Sequence, residues 1–375
     1  MSRTAGDDPK AVRKMTEEVE IPFKNLPPGF AEQVPEEGRP APGSVRPAQP
    51  AATLVLLRAG GGTPAGEPAT DVGAGMGPAE AGTGSEPGVH LEEDGPHLEV
   101  LLLRRSPGVS FVPGAWVFPG GGLEAADQGP GSREILGRLD LDRLAGSLAI
   151  PPDAPPPHAH LVAAYRETLE ETGILPASRI LPAAEELPAI QTPPATAVLP
   201  EARSVSAARG SGSGGLEADA RQTGGAVTPA RSRELRRRLL MGEASFPELL
   251  LEAGIRLDGA EPAYLAHWVS PELEGRRYDT RFFAVPHRKN EPGSPQAGEG
   301  VEVRWISPAQ ALQLHQAGEL PLIFPTLLTL QALAPLSSPH AVVQHFRRRP
   351  IPRILPRLHR TPRGVLMVTD PAAHR

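Results

Sequence analysis

The chain has 375 residues and carries 38 Lys and Arg against 44 Asp and Glu, a formal net charge of −6. It contains no cysteine, which excludes disulfides, thiolate metal sites and cysteine nucleophiles and favours a reducing compartment. No apolar run approaches the length of a membrane span, and the polar first 50 residues lack the apolar core of a signal peptide. We therefore expect a cytoplasmic protein without a membrane partner.

The composition predicts one folded domain diluted by unstructured segments. Gly and Pro together make up 86 residues, and they are dense in three stretches, residues 1–50, 59–96 and 183–230. These stretches hold too little apolar surface to offset the entropy of ordering, so we predict that they are disordered. The remaining sequence predicts a domain over residues 51–335, followed by a basic segment, residues 336–375, with eight Arg and one Asp.

Short runs rich in Leu, Val and aromatic residues alternate with longer helical patterns. The runs predict strands at residues 52–58, 98–105, 116–118, 264–269, 278–285 and 301–306. The helical patterns cover residues 158–172, 232–252, 308–317 and 325–334. The first two strands would be neighbours, joined across the insert at 59–96. Strands with interspersed helices indicate a mixed α/β (α+β) domain.

Three carboxylates share one side of the first predicted helix. Glu167, Glu170 and Glu171 are spaced at i, i+3 and i+4, opposite an apolar stripe. Carboxylates at this spacing repel one another, and a divalent cation would reverse that repulsion. Hard oxygen ligands suit Mg²⁺ or Mn²⁺. The alternative interpretation is an exposed helix with a solvated acidic face.

A glycine-rich turn upstream favours the metal site. Phe118-Pro-Gly-Gly-Gly122 and Asp127, taken with Arg166-Glu-Thr-Leu-Glu-Glu-Thr-Gly173, resemble a split Nudix box. The sequence departs from the family pattern in three ways. Asp127 stands where the family has Glu, Thr168 takes the place of a bulky apolar residue, and an insertion at residues 128–157 separates the two halves.

The resemblance implies a Nudix fold, a mixed β-sheet packed between helices, and a role for each residue of the box. Glu167, Glu170 and Glu171 would bind Mg²⁺ or Mn²⁺, with Glu167 also a candidate base toward water. Arg166 would orient Glu167, and the loop of Gly120, Gly121 and Gly122 would approach the diphosphate closely. A further acidic ligand often precedes a later strand in this family. Glu299 is our candidate here, and Glu302 competes with it.

Further motifs resemble the branch that contains the peroxisomal coenzyme A diphosphatases and its bacterial relatives. They include Leu101-Leu-Leu-Arg-Arg-Ser106 and Arg276-Arg-Tyr-Asp-Thr-Arg-Phe-Phe283. The likeness implies a pyrophosphohydrolase of a small nucleoside diphosphate derivative, with coenzyme A or acyl-coenzyme A favoured. Arg276, Arg277 and Arg281 are the candidate phosphate contacts, because one guanidinium group can bind two phosphate oxygens at once. The alternative is that these residues form surface ion pairs with Glu272 or Glu274.

Two further alternatives stay open at this point. In the first, the substrate is a nucleotide sugar or a dinucleotide polyphosphate. In the second, the domain is a non-catalytic ligand sensor. The sequence also leaves room for a homodimer.

The basic segment at the C-terminus permits two interpretations. Clustered Arg residues at 347–363 suit nucleic-acid phosphates. Pro350, Pro352, Pro356 and Pro362 interrupt any helix there, and aromatic residues for base stacking are nearly absent. We predict that the segment packs back along the acidic domain and that the protein has no nucleic-acid partner.

Overall fold

The computed structural model describes residues 19–26, 28–34, 45–60, 97–109, 112–148, 150, 154–176, 178–181, 227–272, 276–287, 291–347 and 349–369. The described strands are β1 (Val19–Pro22), β2 (Gln49–Gly60), β3 (His97–Arg105), β4 (Trp116–Val117), β5 (Gly120–Gly122), β6 (Arg179–Ile180), β7 (Ile255–Arg256), β8 (Ala263–Val269), β9 (Tyr278–Pro286), β10 (Gly300–Ile306), β11 (Arg353–Ile354), β12 (Pro356–Arg360) and β13 (Gly364–Thr369). The described helices are α1 (Ser132–Ile135), α2 (Leu141–Leu148), α3 (Pro157–Thr172), α4 (Pro229–Leu240), α5 (Phe246–Glu252), α6 (Pro308–Ala317), α7 (Phe324–Leu333) and α8 (Pro339–Phe346).

A mixed sheet is the centre of the fold. Its strand order is β10-β3-β2-β9-β8-β11, with β4 beside β3 and β5 beside β2. Strands β2 and β3 are antiparallel neighbours, as predicted, with Leu57 opposite Val100. Strand β2 also runs parallel to β9, so its residues 51–57 are buried between neighbours on both sides. The predicted fold class is therefore confirmed.

Each face of this sheet is covered by its own apolar cluster. On one face, Leu54, Leu56 and Leu101 pack with α3 and with the later helices α4 and α5. On the other face, Val55 and Leu102 pack with α7, α8 and both ends of the chain. Successive residues of β2 point to opposite faces because side chains alternate along a strand. The arrangement places the box helix α3 against one side of the sheet.

The two ends of the chain meet in a separate small sheet. Strand β1 pairs antiparallel with β13, which pairs antiparallel with β12. Ile21, Val365 and Met367 are buried in this sheet. The prediction of disorder for residues 1–50 is therefore wrong at β1 and at residues 28–34, because the apolar residues Ile21 and Phe30 find their cover in sequence-distant segments. Residues 61–96 and 182–226, which contain most of the other two predicted disordered segments, lie outside the described residues.

Most predicted elements differ from the structure only at their ends. Residues 232–252 are the main exception, since they form two helices instead of one. Gly242 has a φ of +66°, and Ser245 and Glu248 form a capping box that starts α5. Because the capping box supplies acceptors for the first free N–H groups, a new helix begins there. The turn lets α4 and α5 pack separately beside α3.

The basic C-terminal segment packs back on the domain, as predicted. Strand β11 joins the edge of the central sheet by pairing in parallel with β8, and β12 and β13 form the terminal sheet. Ile354 and Leu358 are buried. Among the described residues, no helix is both long and apolar enough to cross a membrane.

Candidate active site

The box helix α3 is buried on nearly all sides. Tyr165 and Leu169 are fully buried in the apolar cluster, and the helix ends at Gly173, whose φ of +72° suits a residue without a Cβ atom. The side chains of Glu167 and Glu170 are 15% and 19% exposed, and Glu171 is 5% exposed. These burials exclude the alternative of a solvated acidic face.

Arg166 holds the two halves of the box together. It donates to both carboxylate oxygens of the buried Asp127, each at 3.0 Å, and to the carbonyl of Gly122 at 2.8 Å. Its Nη1 donates to Glu167 and to Glu170, also at 3.0 Å. The shorter side chain of Asp127 therefore still binds Arg166 through two oxygens, a geometry that strengthens the ion pair. The insertion at residues 128–157 leaves this connection intact.

The glycine loop lies directly against the carboxylates. The amide of Gly120 donates to Glu171 Oε2 at 2.9 Å. A Cβ atom on Gly121 would stand 2.4 Å from Glu167 Oε1, and one on Gly120 would stand 2.4 Å from the carbonyl oxygen of Ala52. Gly120 therefore excludes a larger residue, because its Cβ atom would meet backbone, whereas a Cβ atom at Gly121 would displace the carboxylate of Glu167.

Burial raises the pKa values of the three carboxyl groups of α3. The pKa of Glu167 rises to about 7, first because the group is buried, against the lowering effect of Arg166. Burial and the neighbouring Glu167 raise the pKa of Glu171 well above its usual range, although the amide of Gly120 opposes that shift. Burial likewise raises the pKa of Glu170. Ionising all three carboxyl groups in this buried site therefore costs free energy.

Glu299 and Glu302 occupy different surroundings. Glu299 lines the same cavity as Glu167 and Glu171, and its charge contributes to the raised pKa values of both. The side chain of Glu302 accepts hydrogen bonds from Arg304 at 2.5 and 3.1 Å. The geometry therefore favours Glu299 as the additional acidic residue of the site.

The donor chemistry fits a hard divalent cation. Glu167, Glu171 and Glu299 present carboxylate oxygens to one cavity, and the pKa values of Glu167 and Glu171 are raised first by burial and then by neighbouring negative charge, both of which a bound cation would offset. In the described part of the chain, however, no three His, Asp or Glu side chains already form a group that could hold a metal ion. Arg166 and the amide of Gly120 hold carboxylate oxygens instead. Side-chain rotation would be needed to complete a ligand set.

A cavity of about 570 Å³ opens from the carboxylates. Its lining includes the carboxylates of Glu167, Glu171 and Glu299 and the glycine loop. It also includes aromatic and aliphatic side chains, among them Phe118, Trp268, Phe282, Phe324 and Leu358. A cleft lined by both carboxylates and apolar side chains can hold a molecule that joins a phosphate group to a larger organic part.

The structure separates the three predicted phosphate contacts. Arg276 lines the cavity and is exposed. Arg277 does not line the cavity. It donates to the carbonyls of Ser270 and Pro271, each at 3.2 Å, and to that of Arg46 at 2.6 Å. Arg281 lies on the opposite face of the sheet and donates to Asp279 at 2.8 Å. Arg277 and Arg281 thus stabilise the fold, and the structure does not support their prediction as substrate contacts.

Sequence reasoning overlooked Arg105 and the walls made by the chain termini. Arg105 ends β3 opposite Gly300, lines the cavity and lowers the pKa of the nearby Glu171. The pairing of β3 with β10 puts Arg105 next to Glu299, and no local sequence pattern indicates that pairing. Phe30 and Leu358 also line the cavity. No local pattern could have predicted that residues more than 300 positions apart share a wall.

Comparisons with known proteins agree with the box and the fold. No family model matches the chain. The chain is 28% identical over 268 residues to the human acyl-coenzyme A diphosphatase NUDT19, covering 64% of this chain and 62% of the relative. The chicken protein of the same name is 28% identical over 267 residues, with the same coverages. The chain is therefore similar in sequence to these two acyl-coenzyme A diphosphatases.

A solved structure shows the same Nudix fold. The crystal structure of a Nudix hydrolase from Alicyclobacillus acidocaldarius has a TM-score of 0.50 and 21% sequence identity, and the match covers 80% of this chain and 96% of that one. At this identity the likeness concerns the fold alone. The chain spans 62% of the length of the NUDT19 proteins that it matches.

Proposed function

We propose that the protein is a Mg²⁺- or Mn²⁺-dependent Nudix pyrophosphohydrolase that cleaves the diphosphate of a nucleoside diphosphate derivative. The observation that carries this proposal is the cavity that Glu167, Glu171 and Glu299 line together with the glycine loop and apolar side chains. A diphosphate resists attack because it is negatively charged. A divalent cation held by these carboxylates would neutralise that charge and activate water.

Individual residues of the site are proposed to act as base, metal ligands and phosphate contacts. Glu167 is the proposed base that accepts the proton of the attacking water, because it faces the cavity and Arg166 fixes one of its oxygens. Glu170, held by the same guanidinium nitrogen of Arg166, and Glu171, held by Gly120, are the proposed additional ligands, together with Glu299. Gly120, Gly121 and Gly122 would let the diphosphate approach the backbone. Arg276 and Arg105 are the proposed phosphate contacts.

The favoured substrate is coenzyme A or acyl-coenzyme A. The NUDT19 relatives are named as acyl-coenzyme A diphosphatases, and the apolar walls would suit an organic group beyond the diphosphate. Water would attack one phosphorus, and the bridging P–O bond would break to give a 4′-phosphopantetheine and adenosine 3′,5′-bisphosphate. We further propose a cytoplasmic location, without a nucleic-acid or membrane partner.

A substrate panel tests this proposal. The purified full chain would be incubated with Mg²⁺ or Mn²⁺ and coenzyme A, an acyl-coenzyme A, a nucleotide sugar or a dinucleotide polyphosphate, and the products identified by mass spectrometry. We expect cleavage of the coenzyme A compounds. Cleavage of another diphosphate instead would remove the substrate assignment and leave the hydrolase. Binding of these compounds without cleavage of any would favour the sensor.

A further inference from the structure

Arg236 lies between two parts of the proposed active site, the box helix and the loop before β10. It is a half-buried residue of α4, a helix that follows the segment 182–226 and packs beside the end of the box helix. Its Nε donates to the carbonyl oxygen of Glu170 at 2.8 Å, and its Nη2 to that of Glu171 at 3.4 Å. These carbonyls belong to the last turn of α3, where the intrahelical N–H partners have run out.

The same guanidinium reaches the loop that leads to Glu299. Nη1 of Arg236 donates to the carbonyl oxygen of Ser294 at 3.1 Å and to its Oγ at 3.0 Å. Two backbone amides of this loop also bind the end of α3, Ser294 to Thr172 at 2.8 Å and Gln296 to Glu171 at 3.0 Å. The loop then continues to Glu299, whose carbonyl accepts from Ser106 at 2.8 Å. Arg236 thus connects the box helix with the segment that carries the fourth carboxylate.

The neighbours of Arg236 on α4 behave differently. Arg237 pairs with Glu234 and Glu243, and Arg238 pairs with Glu243 and Glu252, all near the surface. The hydrogen bonds of Arg236 to described residues go to carbonyl and hydroxyl oxygens instead. Burial lowers its pKa. A cation at the C-terminal end of a helix is also favourable for the helix dipole.

We propose that Arg236 is a positioning residue, which sets the spacing between the carboxylates of Glu170 and Glu171 on α3 and that of Glu299 on the loop. This inference rests on the proposed metal-dependent function. It gives α4, which lies outside both halves of the Nudix box, a part in the reaction. Arg236 contacts the backbone of Glu170 and Glu171 and does not line the cavity. Its loss therefore changes metal affinity and turnover more than substrate affinity.

The test compares R236M, R236K and R237M in the full chain. Mn²⁺ affinity is measured by electron paramagnetic resonance, and kcat and KM with the best substrate of the panel. We expect R236M to weaken Mn²⁺ binding and lower kcat by about tenfold each, the usual size for a residue that supports metal ligands, with KM nearly unchanged. R236K keeps the charge and should recover part of both losses. R237M removes only surface pairs and should match the wild type.

A purely structural role would give a different result. R236M would then melt at a lower temperature but bind Mn²⁺ and turn over like R237M, and the proposal would be overturned. If R236M does not fold, R236K decides, because wild-type Mn²⁺ affinity and kcat in that variant would show that the forked geometry is not needed. If the wild type cleaves no diphosphate, the proposed function is wrong. The proposal for Arg236 is still tested in that case, because the Mn²⁺ titration compares its variants without substrate.

Discussion

At the scale of single residues, Gly121 and Gly146 offer a matched pair. A Cβ atom at Gly121 would overlap Glu167, whereas one at Gly146, an exposed residue of α2, meets nothing within 4 Å. We predict that G121A displaces the carboxylate of Glu167 and lowers kcat by about 100-fold or more, as loss of a group that stabilises the transition state does. G146A should retain turnover. Steady-state kinetics on both variants checks the prediction, and equal activity of the two would contradict it.

Asp279 is the partner of Arg281, which the sequence had predicted as a substrate contact. It accepts from Arg281 at 2.8 Å, lies 2.7 Å from His267 Nε2, and has Arg353 3.7 Å away. Against the raising effect of its burial, His267 and the two Arg residues lower the pKa of Asp279 to about 2. A carboxyl group with a lowered folded-state pKa stabilises the protein above its unfolded pKa, and that stabilisation is lost as the pH falls.

The variant D279N tests this pairing. We predict that its free energy of unfolding is lower than that of the wild type by about 2 kcal/mol at neutral pH. The gap should narrow as the pH falls from about 4 toward about 2, because the protonated carboxyl group of the wild type then resembles the amide. Urea titrations at several pH values measure the gap. A gap that does not change over this range would show that Asp279 is not held as an anion.

At the scale of elements, the box helix was predictable and its surroundings were not. The spacing of the apolar residues and glutamates of α3 defines the helix and its charged side, and Gly173 defines its end. Nothing local shows that the charged side would be buried, because the residues that cover it come from the glycine loop, α4 and the loop before β10. The same holds for Arg281 in the Arg-rich segment after residue 275. Side chains alternate along β9, and the sequence did not show that the face carrying Arg281 points away from the cavity.

The terminal sheet adds a wall to the cavity. Leu358 of β12 is 4% exposed, packs in the apolar cluster and lines the cavity. We predict that L358A lowers the free energy of unfolding by about 2–4 kcal/mol, the usual cost of a buried Leu→Ala change. It should also raise KM while kcat changes little, since Leu358 contributes an apolar side chain to the cavity and is none of the proposed ligands. R357A, at the exposed neighbouring position, is the control.

Thermal unfolding and kinetics together decide this prediction. Deletion of residues 340–375 should act in the same direction and leave metal-dependent turnover measurable. Loss of kcat at unchanged KM in L358A would place the terminal sheet in the chemistry and contradict its role as a wall.

At the scale of the whole molecule, the fold brings sequence-distant segments to one cavity. Phe30 and Leu358 come from the two ends of the chain, and Glu171 and Glu299 lie on either side of the segment 182–226. The fold class and the order of most elements followed from apolar patterns and the box. The strand order of the sheet and the contacts of its edges depend on long-range pairing, which a local pattern does not contain.

We propose that the carboxylates of α3 make the protein a metal-dependent diphosphate hydrolase. The most direct measurement is ³¹P NMR of coenzyme A with Mg²⁺ and the wild type, E171Q or E302Q. We predict that wild type and E302Q cleave the diphosphate, because Glu302 pairs with Arg304 and does not line the cavity. E171Q should lose about 100-fold or more in rate. Unchanged turnover in E171Q would exclude the proposed metal-binding role of Glu171 and contradict the claim.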